Sequence, residues 1–250
     1  MFLKKWNLIR LLLWLSVFGI SNVSAQWSQY TREGKYNETI PAIKPFYLQQ
    51  PFVSFHTRQL YAPIGLMLSG FLANSNGPES LKMEIVEERN EHFANFHTGI
   101  DNYLQYAPIA AVYTMDAYGY HAKHDFINRS AILLKGELMM SALVFTAKSS
   151  FHNLRPDGST YNSFPSGHTA QAFAAATFLT EEYGSTYKWM PYVAYGAASC
   201  VGGLRMANNR HYISDVLLGA GIGILTMKVA YWTHRFKWKK HRSSPDVIEN

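Results

Sequence analysis

The chain has 250 residues, of which 48% are hydrophobic, 15% aromatic and only 16% charged. This composition excludes a disordered chain, a coiled coil and a collagen-like fibre. A single cysteine, Cys200, excludes an internal disulfide framework and a zinc or iron–sulfur site built on cysteines. The net charge of +6 comes from two short basic segments near the ends of the chain, which argues against nucleic acid as a partner.

The first 25 residues have the three parts of a secretory signal peptide. A basic start is followed by the apolar run LLLWLSVFGI and by small residues that form a cleavage site after Ala25. The apolar run is shorter than the roughly 20 residues that a transmembrane helix needs, although an uncleaved signal anchor remains an alternative. Either form sends the chain into the export pathway.

After an extended, polar and aromatic lead-in over residues 26–58, the sequence predicts helices. The apolar stretches are rich in Ala, Leu, Met and Gly and show no strict alternation, which favours helices over strands. They cover residues 60–73, 103–118, 131–147, 168–180, 189–204 and 213–232. A further, surface-exposed helix is predicted around residues 84–89. We therefore predict one all-α domain over residues 59–234, followed by a basic tail over residues 235–250.

The relation of these helices to a membrane stays open at this point. Lys135 and Glu137 lie inside one apolar stretch, and only twelve uncharged residues separate Asp215 from Lys228 in another. A charge in mid-span costs at least about 2.5 kcal/mol unless it faces a protected interior. The helices are compatible with a soluble core or with a short membrane bundle.

Three short motifs combine basic residues, histidines and a carboxylate. They are Lys148-x6-Arg155-Pro156, Pro165-Ser166-Gly167-His168 and Arg205-x5-His211-x3-Asp215. Each is weak alone, because a basic pair at a helix end commonly complements the helix dipole in solvent. Together, in this order and spacing, they resemble the signature of the type 2 phosphatidic acid phosphatase (PAP2) and haloperoxidase superfamily. Leu204 is the one departure, since the family has a serine there.

The resemblance covers residues 148–215 and implies an all-α, PAP2-type bundle of about six core helices, with the active site at one end. The run RPDGS…NSFPSGHT resembles in particular exported bacterial phosphatases that act on lipid A. With the signal peptide, this predicts a protein of the periplasm or of the periplasmic face of the inner membrane. The positive-inside rule then prefers the basic tail in the cytoplasm and the motifs outside.

The residue types fit the chemistry of phosphoryl transfer. Its transition state spreads negative charge over three equatorial oxygens and needs fixed positive charge around them. Lys148, Arg155 and Arg205 supply that charge, the arginines as bidentate forks. Ser166 and Gly167 lie where a predicted helix begins, so their free N–H groups favour an anion. These five residues are the predicted phosphate-binding set, and no metal ligand or cofactor is expected.

The catalytic residues are predicted to be His211, His168 and Asp215. His211 and Asp215 lie four apart on one helix face, so Asp215 can hold the Nδ1–H of His211 and leave Nε2 to attack phosphorus. His168 can protonate the leaving oxygen and then activate the water that hydrolyses the phosphohistidine. The family resemblance implies the same roles. Because one histidine must be neutral and the other charged, we expect their environments to separate their pKa values.

These assignments predict a metal-independent phosphatase acting on a phosphomonoester, in particular a lipid phosphate such as lipid A. Vanadate is expected to inhibit it, because vanadate adopts the five-coordinate geometry of the transition state. The alternatives are a soluble periplasmic acid phosphatase, an undecaprenyl-pyrophosphate or phosphatidylglycerophosphate phosphatase and, least favoured for so short a chain, a vanadium haloperoxidase.

The other histidines do not have the spacing of metal ligands. His121, His124 and Asp125, and likewise His92 with His97, lack a third ligand at suitable spacing and are interpreted as solvated loops. His152 is expected at the rim of the pocket.

Overall fold

The computed structural model describes residues 56–75, 77 and 79–234. Within these residues the chain forms a 3-10 turn at Thr57–Leu60 and eight α-helices, and no strand. The helices are α1 (Tyr61–Leu72), α2 (Leu81–His92), α3 (Asp101–Leu104), α4 (Ala107–Ala117), α5 (Phe126–Phe151), α6 (Gly167–Tyr183), α7 (Met190–Ala207) and α8 (Ile213–Trp232). The all-α prediction is confirmed, while the predicted signal peptide, the basic tail and nearly all of the lead-in lie outside the described residues.

Helix α5 is longer at both ends than the apolar stretch 131–147. Asp125 caps its start, because the Asp125 carboxylate accepts hydrogen bonds from the N–H groups of Ile127 and Asn128, each at 3.1 Å. The helix ends where His152 adopts a left-handed conformation with φ 47°. The apolar run marks only part of the helix, since polar residues continue it. The extension brings Lys148 into the last turn of α5.

The predicted single helix over residues 103–118 was wrong, because the chain forms two helices there. Pro108 lies in the first turn of α4. A proline has no N–H to donate, and its ring clashes with the carbonyl group four residues earlier, so a helix cannot pass through it unbroken. The break leaves α3 as a separate short helix that contacts α7 and α6.

Helix α8 is the central element and packs against α6, α1 and α5. Glycines on α8 allow this close approach. A Cβ atom at Gly219 would lie 2.5 Å from the carbonyl oxygen of Ser166, and one at Gly223 would lie 2.2 Å from that of Ala170. On the side facing α1, a Cβ atom at Gly221 would lie 2.6 Å from the carbonyl oxygen of Pro63. The backbones of α6 and α1 therefore lie directly against α8.

A buried polar network closes the end of the bundle where α5 begins and where α6 and α8 end. The carboxylate of Glu182 is 1% exposed and accepts hydrogen bonds from His124 N–H (3.0 Å), His124 Nδ1 (2.9 Å) and the Tyr231 hydroxyl (2.7 Å). Arg129, also 1% exposed, forms an ion pair with Asp116. The interpretation of His124 as a solvated loop residue was wrong, because its ring contacts the buried carboxylate of Glu182. This partner lies 58 residues away in sequence, so no local pattern indicates it. His92 and His97 are exposed.

Candidate active site

The three motifs meet at the other end of the bundle, where four helix ends converge. Lys148 lies in the last turn of α5, Ser166 caps the start of α6, Arg205 lies in the last turn of α7, and Asp215 lies in the first turn of α8. The N–H of Ser166 donates to the carbonyl oxygen of Asp215 at 3.0 Å, which joins the starts of α6 and α8. Antiparallel neighbours thus bring together residues that are far apart in sequence.

His211 and Asp215 form a buried pair with the predicted geometry. His211 Nδ1 lies 3.1 Å from Asp215 Oδ2, and the two residues are 3% and 0% exposed. The same carboxylate oxygen accepts hydrogen bonds from the Tyr212 N–H at 3.0 Å and from the Ser163 hydroxyl. Three donors therefore fix Asp215, and the contact with Nδ1 leaves Nε2 as the nitrogen that can act as a nucleophile.

The three predicted cations lie around the two histidines. Lys148 Nζ donates to the backbone carbonyl groups of Asn162 and Ser163. Arg205 is 7% exposed and donates from Nη1 to Asp101 Oδ2 at 2.7 Å. The Nε–H groups of Arg155 and Arg205 are buried and have no hydrogen-bond acceptor among the described residues. A buried donor without an acceptor costs about 1–3 kcal/mol, so both arginines favour an anion beside them.

The start of α6 differs in one respect from the prediction. Ser166 was expected to offer a free N–H to phosphate, but that N–H donates to Asp215, and its hydroxyl oxygen accepts a hydrogen bond from the Thr169 hydroxyl at 2.9 Å. Within the described part of the chain, the N–H groups of Gly167 and His168 have no acceptor. The donors that the helix start can offer to an anion are therefore those of Gly167 and His168. A Cβ atom at Gly167 would only touch Val144 Cγ1 at 3.8 Å, so packing does not require this glycine.

Burial and the nearby cations shift both histidines in the same direction. Desolvation, together with Arg205, Arg155 and Lys148, lowers the pKa of His168 to about 4, although Asp101 acts in the opposite direction. Desolvation also lowers the pKa of His211 to about 4, although Asp215 favours its protonation. The expected separation of the two pKa values is therefore not present in the protein alone, because both rings lie in the same positive field. A phosphate dianion would supply the charge that raises the pKa of the nearer ring.

Several residues around the site carry no signal in the three motifs. Asn102 Oδ1 lies 2.8 Å from His168 Nε2, and Asp101 pairs with Arg205. Ser163 lies just before the second motif and contacts Asp215. None of these three residues is predicted from the sequence, and only Ser163 could have been suspected from its position.

The mouth of the site carries an ion pair and a groove. Arg210 Nη1 donates to Asp157 Oδ2 at 2.9 Å, which links the loop after α5 to the residue before His211. A groove of about 330 Å³ beside Lys148 is lined by Phe145, Ser149, His152, Tyr161 and Asn162. His152, predicted at the rim, is exposed there.

Among the described residues, no group of three or more His, Cys, Asp or Glu side chains could hold a metal ion.

Residues 131–239 match the sequence model of the PAP2 superfamily. The match includes all three motifs and most of α5, the helix that carries Lys148. The region of the chain that carries this site is therefore similar to the PAP2 superfamily.

Over 139 residues, the chain is 44% identical to the lipid A 1-phosphatase of Porphyromonas gingivalis. This match covers 55% of the chain but only 31% of that relative, so the chain spans less than a third of the relative's length. Two solved structures are also similar. LpxE of Aquifex aeolicus is 22% identical with a TM-score of 0.46, covering 60% of this chain and 94% of the other. A transmembrane PAP2-type phosphatidylglycerolphosphate phosphatase of Bacillus subtilis is 21% identical with a TM-score of 0.49, covering 68% and 94%.

Proposed function

We propose that this protein is a phosphatase that hydrolyses a phosphomonoester through a phosphohistidine intermediate and without a metal ion. The observation that carries the proposal is the buried His211–Asp215 pair at 3.1 Å, set among the three cations Lys148, Arg155 and Arg205. A phosphate-binding module would need the cations but not a histidine oriented by a buried carboxylate.

In the first step, Nε2 of His211 attacks phosphorus with its lone pair. A P–N bond forms, the P–O bond to the substrate's alcohol breaks, and that oxygen takes the proton of the His168 imidazolium. Asp215 stabilises the positive charge that develops on the His211 ring through its bond to Nδ1–H.

In the second step, neutral His168 takes a proton from water while the water oxygen attacks phosphorus. The P–N bond breaks, its electron pair returns to His211 Nε2, and inorganic phosphate leaves. Through both steps the arginines and Lys148 balance the charge on the equatorial oxygens, which is the part a metal ion takes in other phosphoryl-transfer enzymes. The two Nε–H groups without acceptors support this assignment.

For the substrate, we propose a lipid phosphate, in particular lipid A. The proposal is supported by the name of the Porphyromonas gingivalis relative, a lipid A 1-phosphatase, which is 44% identical over the matched residues. It is also supported by the groove beside Lys148, where the exposed Phe145 and Tyr161 offer apolar surface next to the cations. A phosphate with an apolar body fits this combination better than a small, fully hydrated ester.

We further propose that the protein associates with a membrane. Two helices, α5 and α8, are long and apolar enough to cross one, but α8 is 72% buried over its most apolar stretch and resembles a core helix. The corresponding stretch of α5 is only 22% buried, and Leu134, Leu138 and Phe145 are more than half exposed on it. Exposed large apolar side chains along one helix are typical of a surface that contacts lipid.

The proposed location is the periplasm or the periplasmic face of the inner membrane, with the site outside the cytoplasm. The proposal is supported by the predicted signal peptide and by the basic residues of the predicted tail. An alkaline-phosphatase reporter fused after Ser159, in the loop between the first two motifs, should be active, whereas an inactive fusion there would place the site in the cytoplasm.

A substrate panel tests the proposed function. Purified protein is assayed on lipid A, phosphatidic acid, phosphatidylglycerophosphate, undecaprenyl pyrophosphate and a soluble aryl phosphate, with His211→Ala as the matched control. We expect the highest kcat/KM on lipid A and release of inorganic phosphate that His211→Ala abolishes. A preference for the aryl phosphate would instead support a soluble acid phosphatase, and bromide oxidation with vanadate would support a haloperoxidase.

A further inference from the structure

Two consecutive residues outside the three motifs contact one catalytic and one phosphate-binding residue. Asp101 and Asn102 begin the short helix α3. Asp101 pairs with Arg205, 104 residues away, and Asn102 contacts His168, 66 residues away. The single turn of α3 therefore contacts both the start of α6 and the end of α7.

The carboxylate of Asp101 is fixed in place and fixes Arg205 in turn. Asp101 is 1% exposed, and its Oδ2 lies 2.7 Å from Arg205 Nη1. Its Oδ1 accepts a hydrogen bond from Asn208 Nδ2 at 3.4 Å, and the Asn208 amide also bonds the N–H and C=O of Thr98 at 2.9 Å each. A charge-assisted hydrogen bond to a buried, immobile carboxylate restricts the plane of the guanidinium. The Nε–H of Arg205 remains without an acceptor and can bond an anion.

The side chain of Asn102 acts on the ring of His168. Its Oδ1 lies 2.8 Å from His168 Nε2, and a carbonyl oxygen can only accept a hydrogen bond. The contact therefore favours a hydrogen on Nε2, in the neutral ring and in the imidazolium alike. The same contact restricts the rotation of the His168 ring, which is only half-buried.

We propose that Asp101 and Asn102 are positioning residues for the phosphatase reaction: Asp101 sets the guanidinium of Arg205, and Asn102 sets the imidazole of His168. The inference rests on the proposed function, because it assigns these two contacts to the geometry of the transition state. Neither residue needs to touch the phosphate, and the negative charge of Asp101 opposes the binding of a dianion. A carboxylate that opposes anion binding but holds Arg205 at 2.7 Å is better explained by an effect on orientation than by an effect on affinity.

The effect should be larger on the transition state than on the ground state. In Asp101→Ala, Arg205 keeps its charge but loses its fixed plane, so kcat should fall on the order of 10- to 10²-fold while KM changes little. Vanadate, which adopts the transition-state geometry, should bind at least about 10-fold more weakly, whereas inorganic phosphate should bind equally well or better. Asp101→Asn, which keeps an acceptor oxygen, should recover part of kcat.

The pH profile gives a readout that a merely structural residue would not change. The charged groups that face His168 are Lys148 from α5, Arg155 from the following loop, Arg205 from α7 and Asp101 from α3. Of these, only Asp101 favours protonation of the ring, and Asn102 adds an acceptor for its proton. Because the imidazolium of His168 is the proposed acid, Asp101→Asn and Asn102→Ala should both move the alkaline limb of kcat to lower pH.

The matched control is Asp116→Ala at the far end of the bundle. It removes the carboxylate that pairs with another buried arginine, since Arg129 is 1% exposed and pairs with Asp116, whose side chain is 36% exposed. It should lower Tm but leave kcat, the pH profile of kcat and vanadate binding unchanged, because the hydrogen bonds of His124 and Tyr231 to Glu182 at that end stay in place.

The experiment measures kcat and KM from pH 5 to 9, and the binding of vanadate and of inorganic phosphate by calorimetry. The inference is overturned if Asp101→Ala weakens the binding of vanadate and phosphate equally, or of neither. It is also overturned if Asn102→Ala leaves kcat and the alkaline limb of its pH profile at the wild-type values. Failure of the proposed function has a different signature, because the wild type then releases no phosphate from any substrate. The calorimetric comparison of the two anions needs no turnover and still decides the positioning of Arg205.

Discussion

The close contact between α6 and α8 predicts a large effect of a very small substitution, Gly219→Ala. The new methyl group would lie 2.5 Å from the carbonyl oxygen of Ser166, well short of the 3.4 Å at which ordinary van der Waals contact begins. The obstacle is backbone, which cannot rotate away as a side chain can. The start of α6 must therefore move away from α8, and Ser166, Gly167 and His168 move with it.

The size of the effect follows from this displacement. Overpacking of this kind costs about 1–3 kcal/mol, from which about 0.5–1 kcal/mol is recovered because alanine is the better helix former. The Tm should fall by a few degrees, since 1 kcal/mol corresponds to roughly 2–4 °C in a domain of this size. A displacement on the order of 1 Å at the start of α6 should lower kcat by up to about 10²-fold. It would also weaken the hydrogen bond from Ser166 N–H to the Asp215 carbonyl oxygen.

Two other glycines provide the controls. A Cβ atom at Gly196 on α7 has no atom within 4 Å, so Gly196→Ala should raise Tm slightly and leave kcat unchanged. Gly223→Ala, one turn farther from the site, meets the carbonyl oxygen of Ala170 at 2.2 Å and should lose stability with a smaller loss of kcat. Thermal unfolding and steady-state kinetics on the three variants decide the matter. If Gly219→Ala equals Gly196→Ala in both Tm and kcat, the close contact does not position the site.

The remaining predictions concern the proposed chemistry. His211→Ala and His168→Ala should each lower kcat at least about 10²-fold with the fold intact by circular dichroism, and Asp215→Asn should be less severe; more than a tenth of the wild-type activity in His211→Ala would contradict its role as nucleophile. Activity should survive EDTA and be inhibited by vanadate, whereas complete loss in EDTA with recovery on added zinc or magnesium would contradict the mechanism. Because the pKa of each histidine is about 4 when folded and about 6.5 when unfolded, the unfolded chain binds more protons between these values, so the free energy of unfolding should fall as the pH is lowered from about 6.5 to 4. Inorganic phosphate should reduce this loss of stability, and so should His168→Gln. Chemical denaturation at pH 7 and pH 5 measures the change in the free energy of unfolding. If His168→Gln shows the same change between the two pH values as the wild type, the low pKa of His168 is contradicted.

The sequence predicts the fold best where an apolar run coincides with a whole helix. The stretch 213–232 has the same bounds as α8, because most of this central helix is buried and its sequence is therefore mostly apolar from end to end. The prediction was less accurate at α5, whose polar ends continue the helix, and it failed at Pro108, which interrupts an otherwise continuous apolar pattern. Local composition does not report where a helix must end.

The site could be predicted only to the extent that its residues repeat a known spacing. The motifs contain Arg205 and His168, but the partners of these residues, Asp101 and Asn102, lie in an unremarkable polar segment. Asn102 and His168 are 66 positions apart in sequence, and Asp101 and Arg205 are 104 positions apart. Such contacts depend on how antiparallel helices align, and no local sequence pattern encodes this alignment. The same holds for the use of the Ser166 N–H by Asp215, which only the approach of α8 to α6 makes possible.

The polar network around Glu182 has a consequence for the site at the opposite end of the bundle. Glycine and alanine form the close contacts between α6 and α8. Because such small residues interlock only slightly, they offer little resistance to sliding of one helix along the other. Directional hydrogen bonds from His124 and Tyr231 to one buried carboxylate fix the axial alignment of α5, α6 and α8. A helix of 20 residues is about 30 Å long and nearly rigid, so it transmits any slip at one end to the other. The alignment of the residues that surround phosphorus is thus set in part by an anchor a full helix length away.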